Sequence, residues 1–307
     1  MKTKTLSSFV HVLALSSVLS AASAHAAILA SENFGSGHAT GELLHDTGSG
    51  SGWAANWTAS NVNSLGVIYV SPADRFLTTT TSHNPSGGDV GSLDGTNNRR
   101  VGRNLDTSEG GAFGSWLDGS GNVKAEGETI YVAWTWGVSF TSTQYYGFEM
   151  HRDGVDDGYR ILQLSNEGGA VNDGSLSLRA RTNAVGTGVS WTPSVSNFAT
   201  LGSGDLYVLA ITYGANGAND SVNVYVNPLL GSLEGGNTPV ATLSGVDLSF
   251  DRISFSSFAN SGSPRKEVEF DDIVIASDWA GVVGVPETGS LLLCCGALGV
   301  FGLLRRR

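Results

Sequence analysis

Between residues 129 and 140 apolar side chains recur at every second position. Ile130, Val132, Trp134, Trp136, Val138 and Phe140 alternate with Tyr131, Ala133, Thr135, Gly137 and Ser139. Period two belongs to a β-strand; on a helix the same six side chains would scatter around the circumference. So heavy a face needs a second sheet to pack against, which predicts a half-buried strand in a layered β structure. Residues 176–181, 206–213, 221–227, 253–258 and 268–275 have the same short β character, and turn-formers fill 168–174, 214–220 and 231–239. Glycine, at 42 of 307 residues, is about twice as frequent as usual, as a chain of many turns requires. Long helical patterns and fixed-period repeats are absent from the sequence, which leaves a parallel β-helix as the runner-up without the repeat it needs. Many short antiparallel strands must close their edges, so the expected fold is all-β: a two-sheet antiparallel jelly-roll sandwich.

The two ends read as addresses. Residues 1–26 begin with Lys2 and Lys4, continue through an apolar stretch at 9–19 and end in Ala24-His25-Ala26. That stretch falls well short of the roughly 20 residues needed to span a bilayer, and small residues before the boundary suit signal peptidase, with cleavage after Ala26 or Ala24. Residues 285–307 hold Val285, Pro286, Glu287, Thr288 and Gly289, then an apolar run at 291–304, then Arg305, Arg306 and Arg307. At 1.5 Å per residue such a helix reaches roughly 21 Å, against a hydrocarbon core of roughly 30 Å. The terminal arginines put that end on the cytoplasmic side. The expected organisation is a signal peptide at 1–26, a jelly-roll domain at 27–284 and a sorting segment at 285–307. That segment is expected to hold the chain transiently in the inner membrane; a permanent anchor is the alternative.

Lys2, Lys4 and the three terminal arginines account for five of the 17 basic residues, and Glu287 for one of the 28 acidic ones. The body keeps 12 basic and 27 acidic groups, net −15. Such a surface repels phosphate backbones, so no nucleic-acid partner is expected. Both cysteines, Cys294 and Cys295, lie in the C-terminal apolar run, so the body can form no disulfide.

The tripartite end at 285–307 resembles the PEP-CTERM sorting signal read by exosortase-type membrane enzymes in Gram-negative bacteria that make extracellular polysaccharide. Thr288 stands where that signal has Pro. Val-Pro-Glu-Thr-Gly also resembles the Leu-Pro-x-Thr-Gly element of sortase substrates, but the Gly- and Leu-rich run and the Lys-poor body favour the first. The body resembles the concanavalin A-like, or laminin-G-like, jelly rolls. Glu32-Asn33-Phe34 with Gly52-Trp53-Ala54-Ala55-Asn56-Trp57 matches their opening, and Tyr146-Gly147-Phe148-Glu149 with Leu164-Ser165-Asn166-Glu167 their middle. The stretch from Asn219 to Pro228 ends in Val226-Asn227-Pro228 as their strand does, and Phe270-Asp271-Asp272-Ile273-Val274-Ile275 with Trp279-Ala280 matches their close. The resemblance implies an exported surface or matrix protein with extracellular polysaccharide as its partner.

Three groups of residues carry candidate chemistry. Glu267, Glu269 and Asp271 alternate on one strand, roughly 6.5 to 7 Å apart at Cα. That spacing suits a glycosidase carboxylate pair, a solvated strand face or a structural calcium site. Asp153, Asp156 and Asp157 share a Gly-bounded loop, a pattern of oxygen ligands that suits calcium as the one cofactor to consider, or a solvated turn. Asn216, Asn219 and Asp220 form a second group of oxygen ligands for calcium, but Asn-Gly and Asn-Asp are also what a hairpin turn uses, and the turn is expected. Trp116 and Trp191 stand in Gly- and Ser-rich loops, where a flat ring can stack on a sugar or pack the turn. The body's histidines, His38, His45, His83 and His151, form no His-x-x-x-His pair, and no Gly-x-Ser-x-Gly or phosphate loop occurs, so zinc, a nucleophile elbow and nucleotide binding lack support. A non-catalytic glycan-binding module is therefore expected first, a structural surface protein second and a glycosidase third, with no catalytic residue assigned.

Overall fold

The computed structural model describes residues 27–34, 48–60, 68–71, 90–94, 99–138, 144–154, 157–166, 175–181, 191–200, 203–259 and 267–284, all within the compact unit Ala27–Val285. The predicted signal peptide with Ala24 and Ala26, the sorting residues Val285, Pro286, Glu287 and Thr288, the apolar run after them and Asp156 all lie outside the described residues.

Fifteen strands are described: β1 Ile28–Glu32, β2 Thr58–Ser60, β3 Ile68–Ser71, β4 Val90–Asp94, β5 Arg99–Asn104, β6 Thr129–Val138, β7 Gln144–His151, β8 Arg160–Ser165, β9 Ser175–Ala180, β10 Ser194–Thr200, β11 Ser203–Thr212, β12 Asp220–Val226, β13 Ala241–Val246, β14 Arg252–Ala259 and β15 Glu267–Ala276. One short helix, α1, follows at Trp279–Val283. The strands form two antiparallel sheets. The first runs β13-β12-β11-β6-β15-β4-β3 with β1 also on β15, and the second runs β10-β9-β8-β7-β14-β5-β2. This is the expected jelly-roll sandwich, with β6 at the centre of its sheet.

Between the sheets, Ile130, Val132, Trp134 and Trp136 of β6 meet Tyr146, Phe148 and Met150 of β7 and Ile253 and Phe255 of β14. Aromatic stacks tie the layers together: Trp134 lies 3.9 Å from Phe148 at 15°, and Phe255 lies 4.0 Å from Phe270 at 9°. The alternation of β6 thus predicts its inner face correctly, but its other face is not left to solvent. Tyr131 and Ala133 join Leu206, Val208, Ala210, Tyr225, Val274 and Ala276 in a second core, which Trp279, Val282 and Val283 of α1 cover. A strand buried on both faces replaces the half-buried one.

The helix is local in origin. Asp278 caps its first turn by accepting from Gly281 N at 2.9 Å. Gly284 ends it in the left-handed region, φ 67°, with its N–H on Ala280 O. The loop after β12 completes the cover: the Trp279 indole donates to Ser232 O at 2.8 Å, and the Tyr131 and Tyr225 hydroxyls donate to Glu234 at 2.7 and 2.8 Å.

β15 corrects the simple alternation read from its sequence. Register against β6 shifts between Asp271 and Val274, and Asp272 has φ 51°. The extra residue is a bulge, so Phe270 and Ile273, three apart, both enter the core. Between β11 and β12, Asn216 sits at φ 56°, and Asp220 accepts from Gly214 N and Leu248 N, so the expected hairpin turn forms there.

Candidate functional site

The second sheet turns apolar side chains toward the main core and polar ones to its other face, where most of them are buried as well. On β7, Tyr146, Phe148 and Met150 enter the core, leaving Tyr145, Gly147, Glu149 and His151 on the opposite face. Register extends that face sideways: Glu149 is opposite Ser254 and Gln163, Ser256 is opposite Gly147 and Arg100, and Gln163 is opposite Arg179. Two glycines keep it flat. A Cβ at Gly102 would lie 2.7 Å from the Arg252 guanidinium, and one at Gly147 would lie 2.5 Å from the Tyr145 hydroxyl, so both side chains lie across glycine.

Glu149 is fully buried at the centre. Arg100 donates to it through Nε at 2.7 Å, Arg160 through Nη1 at 3.1 Å and Tyr145 through its hydroxyl at 2.8 Å. His151 Nε2 lies 3.3 Å from the same carboxylate and 2.7 Å from Ser254 Oγ. Arg252 extends the cluster, donating to Asn104 Oδ1 at 2.7 Å and Thr58 Oγ1 at 2.6 Å. Burial alone would push the Glu149 carboxyl up, but the Arg100 charge, the His151 hydrogen bond and the Arg160 charge overcome it and hold it well below the usual carboxylate range. Burial pushes the His151 imidazole down against the pull of Glu149, and pushes Arg252 down to about 10. A carboxylate held ionised by several donors is a poor proton donor, so the arrangement suits orientation and binding rather than general-acid work.

These shifts set a pH dependence. His151 is depressed in the fold, so the unfolded chain binds the extra proton below its ordinary value of 6.5, and stability falls as pH drops through that point. Glu149 is depressed too, so its contribution is complete above its ordinary 4.5 and is lost as pH falls below it. Asp251, pushed up first by burial and then by Asp153, works weakly the other way. Each one-proton window is worth at most about 1.4 kcal/mol per pH unit. Melting temperature should therefore decline in two stages on acidification, and His151→Gln should remove the stage near pH 6.5; a flat profile from pH 7 to 5 in the unaltered protein would contradict the assignment.

At one edge of this face stands Trp191, half-buried, its ring 4.3 Å from the Arg181 guanidinium and 5.5 Å from that of Arg160. Arg160 thereby links it to Glu149. Trp116 has a different setting: it ends a short 3-10 turn and packs against the main core. Charge is also divided between the sheets. The strands of the second sheet carry six arginines and one acid, Glu149, whereas those of the first carry eight acids and no Lys or Arg.

The other predicted groups resolve as follows. Glu269 and Asp271 are buried, which overturns the solvated-face reading. Asp271 accepts from Phe34 N at 3.4 Å and Asp272 N at 2.7 Å, and so braces the bulge. The Glu267 side chain lies outside the description. Asp153 is exposed at φ 61°, and Asp157 opens the short turn Asp157–Tyr159 with its side chain undescribed. Among the described residues no three His, Cys, Asp or Glu side chains gather to hold a metal. The opening motif is a packing cluster: Glu32 is paired with Arg103, Ser49 and the Trp57 indole, and Arg103 lies over Trp53 and Trp57.

Sequence reasoning passed over the Glu149 cluster. Its signal was present, in Tyr145-x-Gly147-x-Glu149-x-His151 against Tyr146-x-Phe148-x-Met150.

No protein-family model matches the chain, and no curated protein matches it in sequence. Among solved structures it is similar to the catalytic domain of a glycoside hydrolase family 131 protein from Coprinopsis cinerea, with 10% identity, TM-score 0.46, and coverage of 85% of this chain and 98% of that one. It is similar also to endo-acting O-glycanases that human gut microbiota express to initiate mucin breakdown, with 8% identity, TM-score 0.43, and coverage of 82% and 100%. A third is botulinum neurotoxin type C, whose cell entry depends on interaction with two ganglioside molecules, with 10% identity, TM-score 0.41, and coverage of 78% and 48%. This chain spans about half the length of the neurotoxin chains it matches. What the strand pairing itself shows is a two-sheet antiparallel jelly-roll sandwich.

Proposed function

We propose that this is an exported surface or matrix protein whose jelly-roll body binds glycan without cleaving it, and whose C-terminal segment is processed by an exosortase-type enzyme. The observation that carries the binding reading is Trp191, half-buried at the edge of the second sheet beside Arg160 and Arg181. Sugars are held by a ring that covers one pyranose face and by fixed donors and acceptors that engage hydroxyls. Trp191 supplies the first, and the half-buried Tyr145 and Arg179 of the same sheet face supply the second. Signal peptidase removes residues 1–26 in this reading, and the run at 291–304 holds the chain in the inner membrane until processing.

Binding of the purified chain to its host's extracellular polysaccharide tests this. We expect saturable binding that weakens about tenfold or more in Trp191→Ala, a loss of about 1.4 kcal/mol. Absence of saturable binding would leave a structural surface protein, and release of reducing ends would make it a hydrolase. Repeating the titration with calcium and with chelator tests the loop of Asp153, Asp156 and Asp157. Mass spectrometry of the protein from its host should show residues 1–26 and the segment after Pro286 removed; an intact cytoplasmic chain would refute export.

A further inference from the structure

Six large apolar side chains are exposed among the described residues, and three of them, Leu229, Leu230 and Leu233, lie on the loop that packs against α1. Leu229 and Leu233 are 69% and 70% exposed, and Leu230, Val240 and Ile28 more than 40%. Scattered exposed leucines need no explanation, but a group of this kind on one loop marks a contact surface.

The loop is built to hold its leucines outward. Asn237 accepts from Leu229 N at 2.9 Å and donates to Ser232 Oγ at 2.8 Å and Leu233 O at 3.0 Å. Ser232 Oγ donates to Leu229 O at 2.6 Å, and Glu234 is held by the hydroxyls of Tyr131 and Tyr225. Beneath, Trp279 donates to Ser232 O and Gly231 N donates to Val283 O. The polar groups are used internally, the one charge is drawn inward, and the apolar side chains are left outside. No Lys or Arg occurs from 203 to 251, so the loop itself carries no cation for a phosphate or another anion.

Its position identifies what covers it. The loop bonds to Val283, one residue before the end of the described body, and Ile28 lies opposite Ala276 at the body's start. The chain therefore enters and leaves beside the exposed leucines. The apolar run begins at Leu291, seven residues beyond Gly284, a reach of roughly 25 Å when extended. A tether of that length keeps the local concentration of any bilayer holding the run high, so a weak apolar contact suffices.

We infer that the loop bearing Leu229, Leu230 and Leu233 rests in the interfacial region of the lipid bilayer while the C-terminal run is held there. This rests on the membrane-held reading above. Uncharged leucines at the headgroup boundary are the chemistry of an interfacial contact.

The full chain, with Cys294→Ser and Cys295→Ser, is labelled with an environment-sensitive fluorophore at Leu233→Cys or, as control, at exposed Ser120→Cys, and reconstituted into phosphatidylethanolamine–phosphatidylglycerol vesicles. We expect the label at 233 to shift to the blue by on the order of 10 nm and to be quenched by nitroxide lipids, with neither effect at 120. A chain that floats with vesicles after an alkaline wash but whose label at 233 stays aqueous overturns the inference and leaves the membrane-held reading standing. A chain that does not float overturns both. A concentration-dependent blue shift without lipid would assign the surface to a second copy of the chain instead. Melting curves that match the unlabelled protein exclude misfolding as the source of any shift.

Discussion

Glu149→Gln is expected to destabilise the fold by about 3–5 kcal/mol, the cost of breaking a buried ion pair by removing one partner. Arg100 is fully buried and Arg160 nearly so, and both donate to this one carboxylate. A neutral amide leaves their charges without compensation, where water cannot replace it. For a domain of this size that corresponds to a fall in melting temperature on the order of 10 °C. The asymmetry of buried pairs supplies a second measurement: Arg100→Met added to Glu149→Gln should recover part of the loss, since the orphaned charge leaves with the side chain. Urea unfolding of the single and double variants reads both effects. A cost for Glu149→Gln below about 1 kcal/mol, the range of solvent-exposed pairs, would mean the cluster is wet and the polar face open.

Trp134→Ala should cost a similar amount for a different reason. Its ring stacks on Phe148, lies 5.7 Å from Tyr207 and meets Phe255 edge-on at 6.4 Å, so it touches both sheets at the middle of the sandwich. Truncation opens a cavity that two rigid sheets cannot close, at roughly 3–5 kcal/mol. Trp134→Phe should cost far less, because it keeps the stack and removes an indole N–H that is buried without a hydrogen-bond partner. If Phe and Ala cost the same, neither the stack nor the volume that the ring fills contributes, and the two-layer packing would need revision.

The two faces of the second sheet contribute to stability in different ways. Its inner face supplies the aromatic contacts, and its other face supplies fixed polar groups around Glu149.

Much of this architecture is legible in the residues alone, because period two is a local property. Ile130, Val132, Trp134 and Trp136 announce the inner face of β6, the Asn- and Gly-rich stretch before Asp220 announces its hairpin, and glycine frequency announces the turns. Three features are not local, and tertiary structure decided them. Tyr131 and Ala133 face away from the main core yet are buried, because α1 returns from more than a hundred residues later to cover them. Glu269 and Asp271 look like a solvated acidic row, but one extra residue at Asp272 bulges the strand, and Asp271 turns to backbone N–H groups, one of them on Phe34. Glu149, His151, Arg100, Arg160 and Arg252 are scattered across four strands, and only antiparallel register sets them side by side. Alternation fixes which way each side chain points; which partner it meets depends on strand order, and strand order is a property of the whole chain.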